Sequence, residues 1–426
     1  MNILTLDPMF SPLHDLISMS FPKGKRLALL SSKGLSVYLN EYEVDYFNRH
    51  IKGKYHKEVD KVIELVRSDV NHFTASLSKL HNRRPSENEL NYMASYYLFL
   101  KDYLIENDIQ LVLLHNDLRW QHSLAVKLCK ALSIRYLVTE QGLFRPYTTV
   151  VDRVGVNAYS RVKLDFEEYC LNKNRELLDN NEPKFKIKPN RDHNSIISYF
   201  YFLQYLFLSK IGRLINTESV IFHKRHTFYE YFKRFIQLKI RRKTNNNSKI
   251  LTKKTIFIPL QLQEDTQLLV HSDFKNNQQV IDLIYNCFHN LGLSKDYDLI
   301  FKLHPNDTNT YRFDQGSKVV DSEINQSFLS NVVLVISVNS SALLNVIETN
   351  IPIITLGRSI YDLPGVCQYS SVRDLESNIK KSVLQRDFDI SRRHDYLNYL
   401  KREYSINGSG YYYPDSEIKK ILSMFL

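Results

Sequence analysis

Glycine and proline are scarce in this chain, 12 of each among 426 residues. So few of them exclude collagen-like repeats and low-complexity disorder. Cysteine is scarcer still: Cys129, Cys170, Cys287 and Cys367 stand far apart, with no CxxC pair. That spacing excludes a disulfide scaffold, argues against a structural zinc site and suits a reducing compartment. The opening run MNILTLDPMFSPLHD lacks the charged start and apolar core of a signal peptide. No stretch of about 18 residues is free of polar side chains, so no membrane span is expected. Against these absences, 43% of the residues are hydrophobic and 12% aromatic. A chain of this length and content predicts a soluble, cytoplasmic protein with two domains of about 150–200 residues each.

Acidic residues are the smaller share of the charge, 46 against 57 Lys and Arg, for a formal net charge of +11. The excess is local. Residues 233–254 carry nine basic side chains and no acidic one, and without them the chain is close to neutral. Such a block can meet nucleic acid, an anionic membrane surface or an acidic ligand, or serve as a solvated linker. The run TNNNSK inside it is a strong loop signal and is expected to mark a domain boundary.

Short apolar runs alternate with longer amphipathic stretches. Residues 3–6, 27–31, 111–114 and 136–139 read as strands, and 57–80 and 87–106 have helical spacing of apolar positions. The pattern restarts after the basic block. Residues 255–260, 299–303, 332–336 and 353–356 read as strands, with 278–291 and 341–349 as helices. This alternation predicts an α/β protein with a parallel sheet in each half. Between the halves, the aromatic run 195–215 reads either as a helix buried across the domain junction or as one touching a bilayer beside the basic block.

Ligands of such sheets lie outside the carboxyl ends of the strands, so polar residues following each strand are the candidates. The first half supplies Asp117, Arg119 and His122 after one strand, then Glu140 and Arg145 after the next. The second half supplies Gln261, Asp265 and Gln267, then His304-Pro305, then Asn339-Ser340-Ser341 before a helical run. A histidine held by a following proline can meet a phosphate oxygen, and hydroxyls with free N–H groups at a helix start form an anion site. Alone, each also has an ordinary structural explanation: a packed histidine or an N-cap. Two carboxylates from facing domains, a histidine and a helix start together fit glycosyl transfer from a nucleotide donor. No metal-ligand spacing is present.

In order, the motifs are Glu140-x-Gly-x-x-Arg145-Pro146, Gly155-Val156-Asn157-x-x-Ser160, Pro259-Leu260-Gln261-x-x-x-Asp265-x-Gln267, His304-Pro305, Asn339-Ser340 and Gly357-Arg358-x-x-Tyr361-Asp362-x-x-Gly365. With Asp117-x-Arg119-x-x-His122, this series resembles the capsule polysaccharide biosynthesis family, in its KpsS/LipB export-protein branch. The resemblance covers about residues 100–165 and 255–375. It implies a GT-B-like fold, two Rossmann-like domains facing across a cleft with a helical insertion between them. The implied division is 1–165 on the acceptor side, 166–254 as insertion, 255–390 for the nucleotide sugar and 391–426 as a C-terminal helical segment.

The resemblance further implies a retaining β-Kdo transferase that uses CMP-β-Kdo as donor substrate, without a further cofactor. Its lipid acceptor would be of phosphatidylglycerol type, reached peripherally at the anionic inner-membrane surface, beside other capsule assembly or export proteins. Asp265 then corresponds to the nucleophile and Glu140 to the acid/base. His304, Pro305, Asn339, Ser340 and Ser341 correspond to the CMP site, and Arg358, Tyr361 and Asp362 to the loop closing it. Two positions depart from the pattern. Asp7-Pro8-Met9-Phe10-Ser11-Pro12 replaces a glycine-rich turn, and Ala342 stands where a glycine is usual. The alternatives are a transferase of the same fold with another CMP- or UDP-sugar donor, and a non-catalytic component that binds capsule glycolipid. Nucleic-acid binding ranks below both, since no recognised module accompanies the basic block.

Overall fold

In a computed structural model of the chain, the described residues are 1–8, 10–51, 53–173, 191–221, 236–237, 253–314, 318–320 and 326–424. Most of the basic block, the TNNNSK run included, lies outside them. The first sheet holds β1 (Ile3–Leu6), β2 (Arg26–Leu30), β3 (Glu43–Tyr46), β4 (Leu111–His115), β5 (Arg135–Gln141) and β6 (Thr148–Asp152). The second holds β7 (Lys254–Pro259), β8 (Tyr297–Lys302), β9 (Lys318–Val320), β10 (Val332–Ser337), β11 (Ile353–Thr355) and β12 (Gln368–Tyr369). A last strand, β13 (Ser405–Asn407), returns to the first sheet, whose order is β13-β6-β5-β4-β1-β2-β3. The second sheet runs β12-β11-β10-β7-β8-β9 and is parallel throughout. The first sheet departs from the expected all-parallel one, since β6 pairs antiparallel with both β5 and β13. Two α/β units built on largely parallel sheets, with a helical insertion, make the architecture GT-B-like.

Strands buried on both faces explain why they read as apolar runs rather than alternating ones. In β1, Leu4 and Leu6 face a core with Leu27, Leu29, Val112 and Leu114, while Ile3 joins Leu111, Leu113 and Leu137 on the opposite face. The helices covering the first sheet are α1 (Leu13–Met19), α2 (Ile63–Arg67), α3 (His72–Leu80), α4 (Glu87–Glu106) and α5 (Trp120–Ala131). Capping boxes start α3, with Asn71 and Thr74, and α4, with Ser86 and Glu89. The helix expected over 57–80 is broken between α2 and α3. There Asp69 is buried and takes hydrogen bonds from Ser123 Oγ at 2.9 Å and Asn71 Nδ2 at 2.7 Å, with Lys127 Nζ 2.6 Å away.

After α6 (Val162–Lys173), α7 (Arg191–Leu214) carries the aromatic run. It does not cross the domain junction, as one expectation had it. It lies on the 3₁₀ turn Lys33–Tyr38 of the first unit, where a Cβ at Gly34 would collide with Tyr205 O and Ser209 Oγ. The C-terminal segment also differs from a purely helical one, because β13 pairs antiparallel with β6. Ile406, Tyr413, Ile418 and Ile421 then pack under β1 and α1 with Ile3, Leu13 and Ile17. Before it returns, the segment straddles both units. Arg392 grips Glu167 at 2.7 and 2.8 Å, and buried Arg393 donates to the carbonyls of Thr349, Ile351 and Val366.

Candidate functional site

Each sheet reverses its strand order once, between β1 and β4 in the first and between β7 and β10 in the second. Crevices open at such switch points, and the loops leaving these strands carry most of the candidate residues. After β4, Asn116 turns the chain at φ 61°, a conformation asparagine tolerates. Its Nδ2 donates to Glu140 Oε2 at 2.7 Å, and the Gln141 N–H donates to Oε1 at 2.9 Å. Burial raises the Glu140 pKa against these bonds and against the nearby charges of Arg119 and Arg145. The Arg119 side chain makes no hydrogen bond or ion pair among the described residues, so its charge is available to a ligand.

Asp117 is buried. Its Oδ2 accepts from Val156 N at 3.2 Å, while Oδ1 has no partner among the described residues. Burial first, then the Glu140 charge, pushes its carboxyl up to about 7. Gly155 permits this arrangement: a Cβ there would lie 2.7 Å from Asp117 Oδ2 and 2.8 Å from Tyr159 Cβ. Asn157, at φ 56°, begins the 3₁₀ turn that carries Tyr159. The Tyr159 ring in turn meets the His271 ring of the second unit edge-on, centroids 5.0 Å apart.

His122 Nδ1 donates to the carbonyls of His115 and Asn116 at 2.7 and 3.0 Å, which leaves Nε2 as a buried acceptor without a partner among the described residues. His14 and His115 flank it. Burial, with the Arg119 charge adding, lowers His14 to about 3 and His115 well below the usual histidine range. His122 falls to about 4 for the same first reason. All three imidazoles are therefore neutral at pH 7, and none is a cation for a phosphate. Asp7, after β1, ties the neighbouring strand ends together, accepting from Ser31 N and Gln121 Nε2 at 2.8 Å each.

In the second unit, Asp265 is the N-cap of the short helix Thr266–Leu269, its Oδ1 accepting from Gln267 N at 3.0 Å. Asn339 organises the loops around it. Its Oδ1 accepts from Gln261 Nε2 at 3.1 Å, and its Nδ2 donates to Gln267 O and Arg358 O at 3.2 and 3.3 Å. Arg358 donates to Val270 O at 2.8 Å and pairs with Asp273 at 3.0 Å. Ser340 caps the 3₁₀ turn Ser341–Leu343, and only the four-residue helix Leu344–Ile347 follows. That is shorter than the helix expected over 341–349, and little macrodipole stands behind exposed Ser341. His304 Nδ1 accepts from Asn306 N at 3.1 Å, so the neutral ring carries its proton on Nε2; Pro305 is exposed. Asp362 is committed to its own loop, accepting from Thr355 Oγ1, Ser359 Oγ and Ser359 N at 2.6–2.8 Å. Tyr361 is buried, its hydroxyl pKa raised by burial, within reach of the Arg145 charge.

One residue ties the two crevices together. His72, at the start of α3, donates its backbone N–H to Leu118 O at 2.8 Å, and its Nε2 meets Glu264 O at 2.9 Å. The loop bearing Asp117 and the loop bearing Asp265 are thus joined through a single histidine. Lys79, two turns further along the same face of α3, donates to Leu268 O at 3.2 Å and Ser272 O at 2.7 Å. Burial brings its ammonium down to about 8. The structure therefore gathers Asn116, Glu140, Asp117 and Arg119 on one side, and Gln261, Asp265, Gln267, Asn339 and Arg358 on the other. Among the described residues, no hydrogen bond or ion pair links His304 directly to that second group. Sequence reading did not mark Asp7, His14, His72, Tyr159 or His271 as site residues. Of these only Asp7 directly follows an expected strand, which is the signal that could have found it. His271 is buried with both ring nitrogens unpartnered among the described residues, and burial holds its pKa at about 4. Among the described residues, no group of three His, Cys, Asp or Glu side chains is arranged to hold a metal.

Comparison with known proteins agrees with the family that the motifs resemble. Over 306 residues the chain is 22% identical to the capsule polysaccharide modification protein LipB of Neisseria meningitidis serogroup B, covering 65% of this chain and 70% of that protein. It is 24% identical over 305 residues to the capsule polysaccharide export protein KpsS of Escherichia coli, covering 63% and 72%. Among solved structures, the β-Kdo 2,7 transferase of Thermosulfurimonas dismutans KpsC aligns over 100% of both chains at 12% identity, with a TM-score of 0.43. A family model described as capsule polysaccharide biosynthesis protein matches residues 110–411, which includes the candidate residues of both units. The chain belongs to the capsule polysaccharide biosynthesis protein family.

Proposed function

We propose that this protein is a retaining glycosyltransferase of capsule assembly, moving β-Kdo from CMP-β-Kdo to a phosphatidylglycerol-type lipid. Family membership and the ordered motifs support the reaction class. The observation that carries the reading is that His72 joins the loop bearing Asp117, which Asn116 ties to Glu140, to the loop bearing Asp265. In the first displacement the free Asp265 oxygen bonds to the anomeric carbon, and CMP leaves with the electron pair of its C–O bond. The acceptor hydroxyl then bonds to that carbon, the aspartyl bond breaks, and the hydroxyl proton passes to Glu140. Two inversions give retention. CMP is a stable leaving group, and Arg119, His304 Nε2 and Ser341 are the groups that would meet charged or polar parts of donor and acceptor.

On this reading residues 1–165 hold the acceptor and 255–390 the nucleotide sugar. Residues 166–254 form an insertion, 391–426 lock the two units together, and the protein works peripherally at the inner membrane beside other capsule assembly proteins. The test uses the capping role of Asp265. Asparagine caps helices about as well as aspartate, so Asp265→Asn keeps the short helix while removing the nucleophile. Transfer should fall by several orders of magnitude, with CMP affinity by calorimetry and melting temperature near wild type. Product would be read by lipid mass after incubation with CMP-Kdo, generated in situ, and phosphatidylglycerol. Undiminished turnover in Asp265→Asn would end the assignment.

A second reading is favoured by how fully the Asn339 and Asp362 side chains are committed to hydrogen bonds within the protein: a component that binds capsule glycolipid without catalysis. It expects glycolipid binding with no release of CMP. The same incubation separates the two.

A further inference from the structure

The helix α7 has two apolar faces, and the fold uses one. Its inner face is packed: Ser209 Oγ bonds Ser32 Oγ at 2.8 Å, and the Tyr201 ring lies 5.9 Å from Tyr38 and 5.3 Å from Tyr411. Its outer face is bare. Ile196, Tyr199, Phe200, Leu203, Phe207 and Leu214 are 70, 70, 59, 64, 65 and 84% exposed. At about 100° per residue, these six fall within an arc roughly 100° wide, a continuous stripe along the helix. Soluble monomers rarely leave so much contiguous apolar surface in water.

We infer that α7 is an in-plane docking helix whose outer stripe rests on an anionic phospholipid surface. The charges select this occupant. No Asp or Glu occurs between Asp192 and Glu218. Between Ile196 and Ile215 the charged residues are Lys210 and Arg213, both exposed. By helical geometry Lys210 projects from within the stripe and Arg213 about 40° beyond its edge. A protein partner, or a second copy of this chain, would have to bury the Lys210 ammonium among apolar side chains. A lipid interface demands no such burial, because the lysine stem lies along the acyl boundary while its ammonium reaches a phosphate. Tyr199, Phe200 and Phe207 suit the same boundary. Among the described residues no helix is long and apolar enough to cross a membrane, so the contact is parallel to the surface.

This inference does not depend on the transferase reading, and its test contains no sugar. The full chain would be sedimented with vesicles of phosphatidylglycerol and phosphatidylcholine, and with phosphatidylcholine alone. Binding is expected to the anionic vesicles only, and to weaken at about 0.5 M salt as the charges are screened. Leu203→Glu with Phe207→Glu should weaken partitioning by about a hundredfold or more, since two inserted side chains become charged. Lys210→Glu with Arg213→Glu should weaken it by about tenfold. Trp120, the one tryptophan, is buried, so its emission reports whether each variant is folded. Phe207→Trp adds a second readout, a blue shift on anionic vesicles. Wild-type protein that ignores anionic vesicles, or charge-reversed stripes that bind as wild type does, would overturn the inference. So would self-association abolished by the Leu203→Glu, Phe207→Glu pair with no lipid binding, which would give the face to a second copy.

Discussion

Asp117 is the residue whose protonation most directly shapes the candidate site. Burial, with the Glu140 charge adding to it, pushes its folded carboxyl up to about 7 from an ordinary 3.8. Between those values the folded protein holds a proton that the unfolded chain has released. The stability tied to this group is therefore full below the unfolded pKa and is lost as pH rises through about 7. Asp117→Asn removes the titration. Its stability relative to wild type should rise between pH 5 and pH 8 by at most about 3 kcal/mol, read from urea unfolding at each pH. A difference that stays flat across that range would show that Asp117 ionises normally. Residue types after each expected strand marked Asp117, Glu140 and Asp265 as candidates. What those types did not carry was environment: which carboxylate is buried, which caps a helix, and which amide, as with Asn339, is engaged by three loops at once.

At the scale of elements, α7 depends on a glycine. The turn Lys33–Tyr38 approaches so closely that Gly34 faces Tyr205 O and Ser209 Oγ with no room for a Cβ. Gly34→Val should lift α7 from the turn without disturbing the buried strands β1 and β4. Hydrogen exchange would show faster exchange across α7 and unchanged protection in the first sheet, and equal protection of α7 in both proteins would contradict the packing. Elements with strong local signals were legible. The expected helix 87–106 matches α4 (Glu87–Glu106), where a capping box and a long amphipathic run agree. The expected strands fall on β1, β2, β4, β5, β7, β8, β10 and β11 with ends within two residues. The weak ones were not legible. β3, with sequence EVDY, is mostly exposed, and it exists because β2 offers it a ladder of hydrogen bonds.

Over the whole molecule, the C-terminal segment is the part that makes two units one. Arg392 and Arg393 hold it to both, and β13 then closes the far edge of the first sheet. Ile406 is fully buried there. Ile406→Ala should lower stability by about 2–5 kcal/mol in urea unfolding, as a large-to-small change in a packed core does. A loss under about 0.5 kcal/mol would mean the segment is only loosely attached. Taken alone, the sequence determined the alternation of strands and helices, the largely parallel sheets and the order of the site motifs. Those features rest on local apolar spacing and on residue types placed at strand ends, which a linear reading retains. Tertiary structure alone decided that residues 405–407 pair with a strand more than 250 positions earlier. It alone brought His72 between the loops of Asp117 and Asp265, and turned one aromatic face of α7 inward while leaving the other in water. These outcomes depend on contacts between segments distant in the chain, and the energy of such a contact is written in neither segment by itself.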